Sequence, residues 1–249
     1  MPRFFVKNDQ VEEGKILLVG TDAHHVARSL RMAVGDVLTV CDMSGKEYEC
    51  RIEAFEEDRE VLLSVCSVKE AENEPPCRVR LFQALPKGDK LDTVIQKAVE
   101  CGVGEIIPFE SERCVVRVKP EAEERKTERR QRIAAEAAKQ CGRSVIPTVS
   151  PTVSFDTMLS LAAESELCLF CYEGDGTRPL GEILREAMPL AGKEISVVIG
   201  SEGGFSLGEA RRALAASMIP TGLGKRILRT ETASGFVLAC LVLVAELGL

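Results

Sequence analysis

The chain is short of histidine. It has two, His24 and His25, side by side. Cys168 and Cys171 spell C-x-x-C, but no second pair completes a zinc site, and residues three apart in an apolar strand-like run fall on opposite faces. A metal centre is not expected. Also missing is a long uncharged apolar run. The best, Ala233 to Ala245, falls short of the roughly 20 residues of a membrane span and is diluted by Ser234 and Gly235, so it reads as a buried core helix. The first residues, Met1-Pro2-Arg3-Phe4-Phe5, pass at once into polar and charged residues and lack the pattern of a signal peptide, so a cytosolic location is expected. Neither a G-x-G-x-x-G fingerprint nor a Walker loop occurs. Positive charge is in deficit too: a net charge of -7 argues against a protein that coats nucleic acid indiscriminately.

What is present is ordinary for a globular protein, with 45% hydrophobic and 29% charged residues in 249, enough for two domains or one large one. The ten cysteines are scattered and most lie in apolar runs, as Cys66, Cys168 and Cys240 do, so they read as reduced small hydrophobes. Charge is uneven. Residues 113 to 143 hold ten Lys or Arg against five Glu, whereas residues 1 to 72 hold nine basic and fifteen acidic side chains. A local basic face can still grip phosphates.

Residues 1 to 72 read as a small β-barrel with one helix. Phe4–Val6, Lys15–Val19, Val37–Cys41, Glu47–Ile52 and Val61–Val68 are short apolar or alternating runs between turn residues, and Asp22 to Met32 is helical with Asp22 as its cap. Glu70 to Pro76, acidic and proline-paired, is the linker. A second domain, residues 73 to 249, opens with a strand from Val79 to Leu85. Apolar residues at Leu91, Val94, Ile95, Ala98 and Val99 then mark one buried helix face, and Glu105 to Phe109 is the next strand. This β-α-β unit implies a parallel sheet. A long helix runs from Pro120 to Cys141 with Arg125, Lys126, Arg129, Arg130 and Arg132 in its first half, either a solvated face or a phosphate-binding one.

The most informative stretch is residues 195 to 235. A β-branched run, Ile195 to Ile199, ends in Gly200-Ser201-Glu202-Gly203-Gly204, a loop whose backbone a ligand can approach closely. Ser206 and Glu209 form a capping box that starts a helix. Met218 to Thr221 is a short strand. Gly222-Leu223-Gly224 then opens a second loop through Arg226 and Arg229 to Thr230-Glu231-Thr232, where either threonine can cap the last helix. Two such units at one end of a parallel sheet are a candidate cofactor site, although each loop alone is also common α/β punctuation.

G-S-E-G-G-F-S, followed by L-G-K-R-I-L-R-T-E-T-A, resembles the paired loop signature of the knotted SPOUT methyltransferases, and most closely the RsmE family of bacterial 16S ribosomal RNA uridine-N3 methyltransferases. The resemblance extends to L-P-K-G-D-K with V-I-Q-K-A-V-E-C-G-V, to Q-C-G-R at 140 to 143, and to H-H-V-A-R-S-L-R with the D-M-S-G turn, which is similar to the family's PUA-like N-terminal domain. The chain departs from the family pattern at Ser201, usually Pro, at Cys101, usually Leu, and at Cys141, usually Ser.

The resemblance implies an α/β fold: a C-terminal trefoil-knotted domain with a parallel sheet, preceded by a PUA-like β-barrel. It implies S-adenosylmethionine as cofactor, held by Tyr172, Gly200, Ser201, Glu202, Gly203, Gly204, Leu223, Gly224, Ile227, Leu228, Thr230 and Thr232. It implies a homodimer acting on 16S ribosomal RNA of the small subunit, with Arg3, Arg28, Arg31, Lys87, Lys90, Arg113, Gln140 and Arg143 as RNA-binding candidates. Uracil N3 must lose its proton before it attacks a methyl group, so a charge stabiliser and a base are needed. Arg229 and Glu231 are the catalytic candidates. An ion pair with Glu231 or Glu202 would make Arg229 merely structural, and Lys97 with Glu100 could simply pair. Two rival classes stay open: a non-catalytic RNA-binding protein on the same fold, and a nucleotide- or dinucleotide-dependent enzyme using the same loops. A SPOUT methyltransferase of another RNA is a third.

Overall fold

A computed structural model describes residues 1–7, 10–12, 14–56 and 60–248. Two units separate in it. Met1–Glu74 groups with Ala138–Ile146, and Pro75–Ala137 groups with Pro147–Leu249.

The alternating runs at the start of the chain form the strands β1 (Arg3–Phe5), β2 (Val11–Glu12) and β3 (Lys15–Val19), then, after α1 (Gly20–His24), β4 (Val37–Cys41), β5 (Lys46–Glu56) and β6 (Glu60–Glu70). They join in the order β1-β4-β5-β6-β3-β2. Each pair is antiparallel except β1 with β4. Inward positions such as Phe4, Ile16, Leu18, Leu38, Val40, Ile52 and Leu63 are almost wholly removed from water and make one core. The single helix expected from Asp22 to Met32 is instead α1 followed by one wide π turn, His25–Ser29, and the chain leaves it through Arg31 at φ 52°. Val19, not Asp22, is the N-cap. Asp22 lies in the first turn and accepts a hydrogen bond from the Lys139 ammonium at 3.0 Å. Ala23 and Val26 cover the core from this segment.

Two carboxylates, the buried Glu47 and the half-buried Glu74, tie residues 143–145 to the first unit. Glu47, 2% exposed, accepts from Arg3 at 2.6 Å, from the Ser144 hydroxyl and from Lys69 at 3.2 Å. Burial works against its ionised form. The bonds from Arg3, Ser144 and Lys69 outweigh that and hold its carboxyl at about 2 rather than 4.5. Glu74, in the expected linker, accepts from the Arg143 guanidinium and from the backbone N–H of Ser144 at 2.9 Å and Val145 at 3.1 Å. Among the described residues, the donors to Glu74 come from 143–145.

The second unit is an eight-stranded sheet in which each strand pair is parallel. In chain order come β7 (Arg78–Ala84), α2 (Lys90–Glu100), β8 (Glu105–Glu110), α3 (Pro120–Cys141), β9 (Thr148–Val149), β10 (Val153–Ser154) and α4 (Phe155–Ala162). Then follow β11 (Leu167–Cys171), β12 (Arg178–Pro179), α5 (Leu180–Ala187), β13 (Glu194–Ile199), α6 (Leu207–Ala215), β14 (Ile219–Gly222) and α7 (Thr230–Ala245). The order β10-β8-β7-β13-β11-β14-β12, with β9 beside β8, sets β13, β11 and β14 side by side. Their following loops therefore leave the same edge of the sheet.

The helix α2 buries Leu91, Val94, Ile95, Ala98 and Val99, the face its periodicity predicts. The helix α3 spends part of its charge run internally: Arg129 pairs with Asp92, and Arg130, buried, reaches Glu123 and the Thr152 hydroxyl. Lys97 and Glu100 do pair, at 2.8 Å. Neither threonine caps α7. Its N-cap is Arg229, with no side-chain cap bond, because the Thr230 hydroxyl turns to the Gly200 carbonyl at 2.6 Å. No helix among the described residues is long and apolar enough to cross a membrane.

The Glu47 cluster predicts acid sensitivity. Its folded-state carboxyl lies below the unfolded value, so its contribution is complete above pH 4.5 and is lost as pH falls towards about 2. Glu47→Gln should lower stability at pH 7 by about 3 kcal/mol and by far less at pH 3, as read by urea unfolding at the two pH values. Equal losses at both would contradict the assignment.

Candidate functional site

At the edge where β11, β13 and β14 end, a cavity of about 850 Å³ opens within the second unit. Three loops wall it. Tyr172, Glu173, Gly174 and Thr177 come from the loop after β11, Gly200 to Phe205 from the loop after β13, and Gly222 to Arg229 from the loop after β14. Thr230 and Ala233, at the start of α7, close one side, and Lys90 and Arg113 reach it from elsewhere.

The loop after β13 is fixed from several directions. Gly204, at φ 61°, turns its N–H back to the Ser201 carbonyl at 2.9 Å. At Gly203 a Cβ would meet the Arg113 Cβ at 3.0 Å and the Arg113 carbonyl oxygen at 3.2 Å. The glycine is thus demanded by a neighbouring backbone as well as by any ligand, a reason that sequence reading did not supply. The Arg113 guanidinium returns the contact by donating to the Gly203 carbonyl at 3.1 Å. The capping box at Ser206 and Glu209 is formed, and Glu209, 5% exposed, accepts in addition from the Glu112 N–H at 2.7 Å. One carboxylate therefore secures both the start of α6 and the loop that carries Arg113.

Charge at the cavity is distributed unequally. Glu202 accepts from the Lys90 ammonium at 2.6 Å and from the Lys87 N–H at 3.2 Å. Its partial burial disfavours ionisation, but these bonds prevail and hold its carboxyl below the usual range. Lys90 is thereby neutralised. Arg229 is exposed and makes no ion pair among the described residues, with Glu202 and Glu231 included, so the structural role that such a pair would have given it is absent. Lys225 and Arg226 add two further exposed cations to the rim. The Cys171 thiol also lines the cavity; burial pushes it up, so it stays protonated and is a poor nucleophile. Phe205 packs on Phe170 with ring centroids 4.4 Å apart and the planes tilted by 37°, and forms the apolar floor with Ile199.

Of the residues expected to hold a cofactor, Tyr172, Gly200, Ser201, Glu202, Gly203, Gly204, Leu223, Gly224, Ile227, Leu228 and Thr230 all line this cavity, and Thr232 does not. Of the catalytic candidates Arg229 lines it and Glu231 does not; one Glu231 carboxylate oxygen is buried without a partner among the described residues. Lys90 and Arg113, expected to hold RNA, line it as well, and Lys87 stands beside it through Glu202. The remaining RNA candidates belong to the first unit. There Arg28, Arg31 and Gln140 are exposed, whereas Arg3 and Arg143 are sunk in their carboxylate pairs with Glu47 and Glu74. Thr177, Cys171 and Phe205 also line the cavity, with Gln83 buried behind it; Phe205 stands inside the G-S-E-G-G-F-S signature, whereas no local motif marks Thr177, Cys171 or Gln83 as part of the site.

Two family models match the chain: that of the RNA methyltransferase domain over residues 73–242, and that of the RNA methyltransferase PUA domain over residues 18–66. A ribosomal RNA small subunit methyltransferase E of Bacillus subtilis is 33% identical over 255 residues, which span 99% of this chain and 98% of that protein. The crystal structure of a protein of the same name from Neisseria gonorrhoeae, bound to S-adenosyl methionine, superposes with a TM-score of 0.84 at 28% identity, covering 98% of each chain. A methyltransferase of Legionella pneumophila, in complex with the bound cofactor SAM, gives 0.85 at 30% identity over 97% of each.

The Glu209 anchor has a direct test. Glu209→Ala leaves the part-buried Glu112 and Ser206 N–H groups without their carboxylate, a loss of about 2–3 kcal/mol. Thermal unfolding should show a melting point lower by roughly 4–10 °C, and hydrogen exchange should speed up at both amides. A variant as stable as the parent would show that the box carries no load.

Proposed function

The chain belongs to the RsmE family of ribosomal RNA small subunit methyltransferases, and on that premise we propose that it methylates N3 of one uridine in 16S ribosomal RNA. Its activity is S-adenosylmethionine-dependent methylation of ribosomal RNA; the uracil N3 acceptor, the small-subunit context and a cytosolic homodimer are our reading. The observation that carries the reading is the three-loop cavity with Arg229 on its wall and, among the described residues, no carboxylate paired with that guanidinium.

The cavity fits the cofactor. Its volume of about 850 Å³ lies within the range of pre-formed small-molecule sites. Its walls join exposed backbone at Gly200 to Gly204 with apolar side chains at Ile199, Leu223 and Leu228, a surface suited to an adenosyl group. The Ser201 hydroxyl is buried with no partner among the described residues, and the proline usual in the family would leave no such orphan. When bound, S-adenosylmethionine supplies a methyl group made electrophilic by its sulfonium.

The chain's residues then have three tasks. The first is orientation, which the anchored loops perform by fixing the cavity before substrate arrives. The second is charge. Uracil N3 becomes a nucleophile only as its proton leaves, and the negative charge spreads to the flanking carbonyl oxygens. Arg229 can face one of those oxygens and lower the energy of the anion. The third is exclusion of competing nucleophiles, which the protonated Cys171 meets by being unreactive. Glu202, already held ionised by Lys90, is a weak base, and Glu231 finds no support from the lining, so proton acceptance is assigned to neither. Because N3 lies on the Watson–Crick edge, the target uridine has to be unpaired or extruded.

The homodimer is supported by an apolar groove of about 650 Å³ lined by Leu180, Leu184, Met188, Phe236, Leu243 and Val244. Met188 and Phe236 are 46% and 42% exposed. Gly222, Leu223 and Gly224 wall both this groove and the cofactor cavity, so a second copy seated there would brace the loop that carries Arg229.

Two outcomes are expected. Arg229→Ala should reduce kcat for methyl transfer by about 100-fold or more, with calorimetric affinity for S-adenosylmethionine within a few-fold of the parent. Undiminished turnover would refute the role given to Arg229. Phe236→Glu should sediment as a monomer where the parent sediments as a dimer, and a variant that remains dimeric would place the interface elsewhere.

A further inference from the structure

Gln83 is the next-to-last residue of β7, pairs in register with Ile199 of β13, and is fully buried. A position of that kind is usually apolar. Its amide nitrogen has two hydrogens and three acceptors nearby: the Ala84 carbonyl at 2.9 Å, the Thr230 hydroxyl oxygen at 2.9 Å and, more distantly, the Gly200 carbonyl at 3.5 Å. Because the Thr230 oxygen accepts from Gln83, its own proton is directed to Gly200, 2.6 Å away. The other end of the amide, Oε1, is buried and has no partner among the described residues. A residue kept for packing alone would carry no such orphan; this one is explained by what its nitrogen holds.

We propose that Gln83 is a positioning residue for methyl transfer, its amide locking Thr230 to Gly200 so that the Gly200–Gly204 loop and the first turn of α7 move as one piece. Arg229 is the N-cap of that helix, so the lock sets where the guanidinium stands relative to the loop that cradles the cofactor. Gln83 touches neither the cavity nor a reacting atom and acts only through Thr230 and Gly200. The catalytic half of the proposal rests on the reading of the cavity as a methyltransferase site, whereas the mechanical half does not.

Both halves can be read in Gln83→Met, which keeps the length of the side chain and removes the amide, and in Thr230→Val. Hydrogen exchange of the ligand-free protein tests the lock. Each variant should raise exchange in the loop 200–204 and in residues 230–234 together, by about 10-fold, and leave the β7–β8 strand pair protected. Kinetics test its purpose. Each should lower kcat at saturating S-adenosylmethionine and RNA by roughly 10–100-fold, with the cofactor KM changed less than about threefold. The double variant should be no slower than the slower single one, and Thr230→Ser should restore most of what Thr230→Val loses. Unchanged exchange, multiplicative losses in the double variant, or a raised cofactor KM at constant kcat would each overturn the proposal. If Gln83→Met does not fold, the Thr230 pair decides it by the same readouts. A parent protein that transfers no methyl to RNA would defeat the functional reading, while the exchange data would still rule on the lock.

Discussion

A single hydrogen bond, from the Thr230 hydroxyl to the Gly200 carbonyl, joins two loops thirty residues apart in the chain, and the site depends on it. Gly200 begins the loop after β13, and Thr230 begins α7. With that bond in place, the last helix can start only where the glycine loop permits, and Arg229, immediately before it, is fixed at the cavity wall. The bond is short and part-buried, which shields it from water and makes its loss costly. Gln83 sets its direction.

Sheet topology brings those two loops within reach of one another. In a parallel sheet each strand delivers its C-terminal end to the same edge, and the order β13-β11-β14 collects three loops there that lie far apart in sequence. Local anchors then keep each loop in shape. Glu209 ties the start of α6 to the Glu112 backbone, Gly203 packs on Arg113, and Lys90 takes up the charge of Glu202. Glu202, a cavity carboxylate, is thus engaged by Lys90, and Arg229 makes no ion pair among the described residues.

Much of this was legible in the residues because the signals were local. The apolar spacing of α2, the capping box of α6 and the extent of α3 follow from patterns within one or two turns, and the glycine loops name themselves. Contacts across long stretches were not legible. Gln83 meets Thr230 at a separation of 147 residues, and Glu47 meets Ser144 at 97. No periodicity could show that Arg3 and Arg143, which look like phosphate-binding residues, are consumed by the carboxylates of Glu47 and Glu74. Nor could it show that Thr230 gives up the capping role suggested by its place before a helix, because its competing acceptor is a carbonyl in another loop. The π turn at His25–Ser29 was hidden for a related reason, since helical spacing alone does not distinguish a wide turn from a regular one.

On the reading proposed above, this chain places a methyl group on N3 of one uridine of the small-subunit RNA. Mass mapping of 16S RNA from cells that lack the protein, set against the same cells with it restored, decides whether it does. The account predicts one uridine that is fourteen mass units lighter in the deficient cells, about the mass of one CH₂, blocked at its Watson–Crick edge only when the protein is present. Identical methylation at every uridine in the two RNAs would contradict it.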